Sequence, residues 1–116
     1  MENNMNTIHK LTQVLQARRD ASPEESYVSS LYAQGLDKIL KKIAEESGET
    51  IEAATTSTGD QRDPHLIHEV ADLWFHTLVL LVHLNQDPAW VLEELEDRFG
   101  ISGHTEKASR SGPKGG

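Results

Sequence analysis

The segment PHLIHEVADLWFHTLVLLVHL, residues 64–84, repeats its apolar side chains at three and four, which is the period of a helix and not of a strand. Set out at helical intervals of roughly 100° per residue, Val70, Leu73, Trp74, Thr77, Leu78, Leu80, Leu81 and Leu84 cover most of the circle. His65, His68, Glu69, Asp72 and His76 share the one polar stripe that is left. A helix apolar nearly all round is a central helix. Two carboxylates on its polar stripe are therefore not set for open water, and burying them is costly unless they are paired or bound to a metal.

Working outward, residues 36–55 form a second long helix with Leu36, Ile39, Leu40, Ile43 and Ile51 on its apolar face. Beside that face, not opposite it, lie Glu46 and Glu49, three residues apart and so neighbours on the surface. Glu45 is rotated further out. Glu69 and Asp72 repeat the spacing of three, so packing the two helices side by side predicts that four carboxylates converge. Four like charges repel unless they take up protons or a divalent cation. An all-oxygen set without thiolates suits Mg²⁺ or Mn²⁺, and Mg²⁺ bridges readily to phosphates. Lys38 and Lys42 fall on the stripe of Glu46 and Glu49. Two roles are open to the lysines: ion pairs one turn along the helix, Lys42 with Glu46 and Lys41 with Glu45, or a grip on phosphate oxygens.

Punctuation supplies the remaining elements. Ser22-Pro23-Glu24-Glu25 has the form of a capped helix start, and Asp63-Pro64 and Asp87-Pro88 repeat the cap-then-proline signal. Four helices are predicted, over residues 7–20, 36–55, 64–84 and 88–99, with Ile8, Leu11, Val14 and Leu15 as the inner face of the first. Residues 26–34 read equally as a loop or a short helical turn. The expected fold is all-α, an antiparallel bundle of about four helices occupying residues 1–100 and completed by dimerisation. Residues 101–116 read as a basic tail: Lys107, Arg110 and Lys114 against Glu106 give it +2, and the total of −8 leaves −10 for the rest.

That acidity excludes a sequence-independent nucleic-acid binder. The absence of cysteine removes disulfides, thiolate zinc sites and cysteine nucleophiles. The start is polar, and the longest charge-free apolar run, residues 78–82, is far too short for a bilayer. A cytoplasmic protein with no membrane or nucleic-acid partner is expected. With 36% hydrophobic and 5% aromatic residues the core is modest, which favours a homodimer or higher homo-oligomer. Among the histidines no pair forms a HExxH motif, so zinc is not expected. His76, one turn beyond Asp72, is open to two readings: a bundle or interface residue, or a partner that orients a metal ligand. Trp74 and Phe75 read as core or dimer contacts, or else as an adenine platform.

The arrangement resembles the all-α nucleoside triphosphate pyrophosphohydrolases, which carry Glu-Glu-x-x-Glu and, one to three dozen residues later, Glu-x-x-Asp. Here the motifs are Glu45-Glu46-Ser47-Gly48-Glu49 and, after 19 residues, Glu69-Val70-Ala71-Asp72. Within that superfamily the segments SYVSSLYAQGLDKILKKIAEESGETIEAA, HEVADLWFHTLVLLVHL and EKASR look most like the phosphoribosyl-ATP pyrophosphatases of histidine biosynthesis. The resemblance implies a dimeric helical bundle and Mg²⁺-dependent hydrolysis of phosphoribosyl-ATP to phosphoribosyl-AMP and pyrophosphate. It implies Glu46, Glu49, Glu69 and Asp72 as metal ligands. Glu45 would orient a ligand or accept a proton from the attacking water. Apart from the resemblance, Lys38, Lys42 or both are expected to bind the β- and γ-phosphates, and Lys107 and Arg110 either fold over the substrate or belong to a mobile basic tail. The cyclohydrolase that follows in the pathway is often fused to this family and resembles a cysteine-based zinc enzyme; a chain without cysteine reads as the stand-alone form. Two rivals remain: a housekeeping enzyme of the superfamily acting on dUTP, dCTP or a damaged triphosphate, and a helical dimerisation module without chemistry.

Overall fold

The computed structural model describes residues 5–101 and is all-helical over them, with no strand among the described residues. Five α-helices follow one another: α1 (Met5–Ala17), α2 (Tyr27–Gln34), α3 (Leu36–Thr56), α4 (Pro64–His83) and α5 (Pro88–Phe99). Single 3₁₀ turns at Arg18–Asp20 and Pro23–Glu25 join α1 to α2.

The helix beyond the four expected is α2. The Ser22 signal starts only the 3₁₀ turn, with the Glu25 carboxylate accepting from the Ser22 N–H at 3.1 Å. Ser26 then turns extended (φ −164°, ψ 164°), and its Oγ accepts from Ser29 N at 3.0 Å, restarting the chain as α2. Val28 and Leu31 of α2 are buried and secure the segment. Gly35, at φ 95°, closes α2 and opens α3 in one step, a backbone state that L side chains rarely adopt. The Asp-Pro starts hold: Asp63 accepts from Leu66 N at 3.1 Å and Asp87 from Ala89 N at 2.9 Å. The Leu66 N–H keeps the Asp63 carboxyl below its usual range.

The core joins α1, α2, α3 and α4 through Leu15, Val28, Leu31, Ile39, Val79 and Val82, with Leu11, Tyr32, Ile43 and Phe75 packed around it. α4 is the central helix, in contact with α1, α3 and α5. Its length and mean hydropathy of 1.2 reach the level of a membrane span. It carries Glu69, Asp72 and four histidines, groups that a lipid-facing helix rarely holds. The chain alone does not cover its apolar circle: Ile67 is 50% and Trp74 62% exposed, and Val14, expected on the inner face of α1, is 43% exposed. The apolar face expected for α3 is likewise split, with Ile39 buried but Leu36, Leu40 and Ile51 exposed.

Candidate active site

Two contacts set the register of α3 against α4. Thr50 Oγ1 donates to the Glu69 carbonyl at 3.3 Å, and Glu46 Oε1 lies 2.5 Å from His76 Nδ1. Later residues of α3 meet earlier residues of α4, so the helices run antiparallel. The inward stripe of α3 is Ile39, Ile43, Glu46, Thr50 and Ala53, with spacings of four, three, four and three. Glu46 occupies a place where the pattern calls for an aliphatic residue, and it is 5% exposed. The matching stripe of α4 runs Glu69, Asp72, His76, Val79. Glu46 lies level with His76 and Thr50 with Glu69, which places the inward acids of both helices near the same end of the pair.

Burial pushes the Glu46 carboxyl above its usual range; His76 and Lys42 oppose that shift, while Asp72 and a contact with the Glu49 carboxyl add to it. Two buried carboxylate oxygens, Glu46 Oε1 and Glu69 Oε1, have no hydrogen-bond partner among the described residues. The 2.5 Å approach of His76 Nδ1 to Glu46 is close but not in hydrogen-bonding alignment, because the ring N–H serves the Asp72 carbonyl at 2.9 Å. An orphaned buried carboxylate oxygen is costly, and a divalent cation is the partner that its charge and hardness suit. The residues therefore fit Mg²⁺ or Mn²⁺.

The expected convergence of four carboxylates is met only in part. Glu49 and Asp72 each act on Glu46, and Glu69 lies a turn away on α4 with its side chain 13% exposed. Glu49 is at the surface. Among the described residues no three His, Asp or Glu side chains form a ready-made metal cage; like charges hold one another apart. On the outer side, His68 Nε2 is 3.3 Å from Asp72 Oδ2 and His65 Nδ1 is 3.9 Å from Glu69 Oε2.

Glu45 is exposed and bonded to Lys42 Nζ at 3.2 Å, which keeps its carboxyl below the usual range and the Lys42 ammonium above its own. The ion pair expected between Lys42 and Glu46 is thus formed with the exposed Glu45 instead, Glu46 being turned inward. Lys38 is half-buried one turn before Lys42. Lys107 and Arg110, with residues 102–116, lie outside the described residues.

A sequence model of the phosphoribosyl-ATP pyrophosphohydrolase family matches residues 8–99, which take in all four carboxylates and nearly every helix. The chain belongs to this family. It is also 54% identical over 102 residues to the phosphoribosyl-ATP pyrophosphatase of Hydrogenovibrio crunogenus (strain DSM 25203 / XCL-2), an alignment covering 88% of this chain and 90% of that protein.

For a phosphoribosyl-ATP pyrophosphohydrolase family chain, the sequence reading missed two neighbours of the site. Tyr27 Oη meets His76 Nε2 at 2.8 Å, across 49 residues, and no local pattern encodes that contact. Thr50 was legible only as the residue completing the inward stripe of α3. Phe75 stacks on Tyr27, with centroids 6.3 Å apart, so it is a packing residue, whereas Trp74 faces out.

Proposed function

We infer that this chain hydrolyses phosphoribosyl-ATP to phosphoribosyl-AMP and pyrophosphate, the second step of histidine biosynthesis. Its family and its 54% identical relative support the reaction. The structural observation that carries the reading is the pair of partnerless buried oxygens, Glu46 Oε1 and Glu69 Oε1, near the same end of the α3–α4 pair. A packing module has no use for such costly groups.

Glu46, Glu49, Glu69 and Asp72 would hold the cation, Mg²⁺ by preference and Mn²⁺ as its substitute. Bound there, the ion supplies neutralisation of triphosphate charge and a lower pKa for an attached water. Glu45, kept ionised by Lys42, accepts a proton from the incoming water or orients a ligand. Lys38 and Lys42 bind the β- and γ-phosphate oxygens, and Lys107 and Arg110 close over the substrate. The bond that breaks is the α–β phosphoanhydride, whose leaving group is already good, so positioning and charge suffice and no covalent nucleophile is needed.

The exposed apolar residues Leu40, Ile51, Ile67 and Trp74 on α3 and α4 receive a second copy of the chain. The protein works as a cytoplasmic homodimer. Purified protein with Mg²⁺ and phosphoribosyl-ATP is expected to release pyrophosphate and not orthophosphate. Turnover of dUTP or dCTP at an equal or higher rate would transfer the assignment to a housekeeping enzyme.

A further inference from the structure

His76 is more than a buried spacer. Its ring is 5% exposed and packed edge-on against Tyr27 (5.8 Å, 90°) and Phe75 (5.0 Å, 79°). A backbone carbonyl can only accept, so the 2.9 Å contact with the Asp72 carbonyl fixes the proton on Nδ1. In the neutral ring Nε2 is then an acceptor, and Tyr27 Oη, at 2.8 Å, donates to it. Both edges of the imidazole are thereby held, one by α2 and one by the backbone of α4. The Nδ1 edge stands 2.5 Å from Glu46 Oε1. One ring N–H thus lies between a carboxylate on α3 and the main chain of Asp72 on α4, the two elements that must be aligned if one cation is to be held between them. A leucine of similar volume would fill this space, but it would fix neither.

We propose that His76, locked by Tyr27, is a positioning residue: with its Nδ1–H held on the Asp72 carbonyl, its ring edge stands against Glu46 and sets where the unpartnered Oε1 meets the cation. The proposal rests on the reading of Glu46 as a metal ligand, and it requires no change of protonation. Residues that orient a metal ligand without touching the metal typically affect metal affinity by about 10- to 100-fold. A residue that only packs changes stability and leaves that affinity alone.

The test uses the full chain and Mn²⁺ alone, with binding followed by loss of the free-ion paramagnetic resonance signal and folding by circular dichroism. His76→Leu is expected to weaken Mn²⁺ about 10-fold or more. His76→Asn keeps an N–H near the Nδ1 position and is expected to return to within about threefold of wild type. Tyr27→Phe, at a half-exposed position that tolerates the change, is expected to weaken Mn²⁺ about threefold or more, and it carries the test should His76→Leu not fold. In turnover, the half-saturating Mg²⁺ concentration should rise in His76→Leu and Tyr27→Phe, with KM for the nucleotide little changed. Wild-type Mn²⁺ affinity in folded His76→Leu, or in Tyr27→Phe, overturns the proposal. Glu46→Gln separates the two levels. If it loses Mn²⁺ while the His76 and Tyr27 variants keep it, only the positioning role fails. If Glu46→Gln also binds like wild type, the ligand reading itself is wrong.

Discussion

The two ends of the α3–α4 pair are built on opposite plans. At one end Ile39, Val79 and Val82 are fully enclosed, carbon on carbon. At the other, Glu46 and Glu69 point inward while Ile51, Ile67 and Trp74 stand 50–65% exposed. The first end encloses its aliphatic pairs within the chain, although Leu36, Leu40 and Leu84 beside them are 37–47% exposed. The second inverts the usual partition of polar and apolar groups, and such an inversion is stable only if something else satisfies it. In the proposed reading a cation would answer the inward acids and a second copy of the chain would cover the outward carbon. The difference separates residues kept for stability from residues kept for chemistry.

The sharpest way to break the contrast is to neutralise the acids. Glu69→Gln or Glu49→Gln is expected to lower kcat/KM about 100-fold or more. The thermal midpoint of metal-free Glu69→Gln should be unchanged or higher, because an orphaned buried charge has been removed. A large loss of stability with activity retained would erase the distinction. The converse substitution at the enclosed end, Val79→Ala, should cost about 1–3 kcal/mol of stability by denaturant unfolding, leaving Mn²⁺ affinity of the folded fraction as it was. Trp74→Glu probes the outward carbon: sedimentation should show a shift from dimer to monomer, and an unchanged mass would place the dimer contact elsewhere.

The smallest effect is a pH limb belonging to the enclosed end. Tyr32 donates to the Leu15 carbonyl at 3.0 Å and lies flat against His83; burial, opposed by Arg19, pushes its hydroxyl up to about 12 from 10.0. The unfolded chain ionises first, so between pH 10 and about 12 the native state holds the extra proton. The contribution is complete below pH 10 and is lost as pH rises through about 12. Tyr32→Phe should flatten stability against pH in that window.

Much of this was legible beforehand. The long helices, the Asp-Pro caps and the two three-spaced acidic pairs are local patterns, and α3 and α4 appear within one or two residues of their expected ends. α2 was ambiguous because eight residues with two buried apolar positions, Val28 and Leu31, carry too little periodicity to tell a helix from a turn. Ser22 does form its capping box with Glu25, but the turn it starts is a single 3₁₀ turn; Ser26 repeats the signal four residues later and starts the helix that tertiary packing supports. At the site, the inward turn of Glu46 followed from its place beside the apolar face. The partner of Lys42 did not, since Glu45 and Glu46 both lie within its reach and only the packed helix shows which one faces out. Tyr27 was beyond reach, since its contact with His76 depends on how α2 lies across α4.

The most direct measurement is an anomalous-difference map from crystals of the full chain grown with Mn²⁺. A peak bounded by Glu46, Glu49, Glu69 and Asp72, with side chains of both helices drawn onto it, is the predicted result. An ion bound elsewhere, or these four carboxylates turned to bulk solvent with no peak between them, would contradict the account.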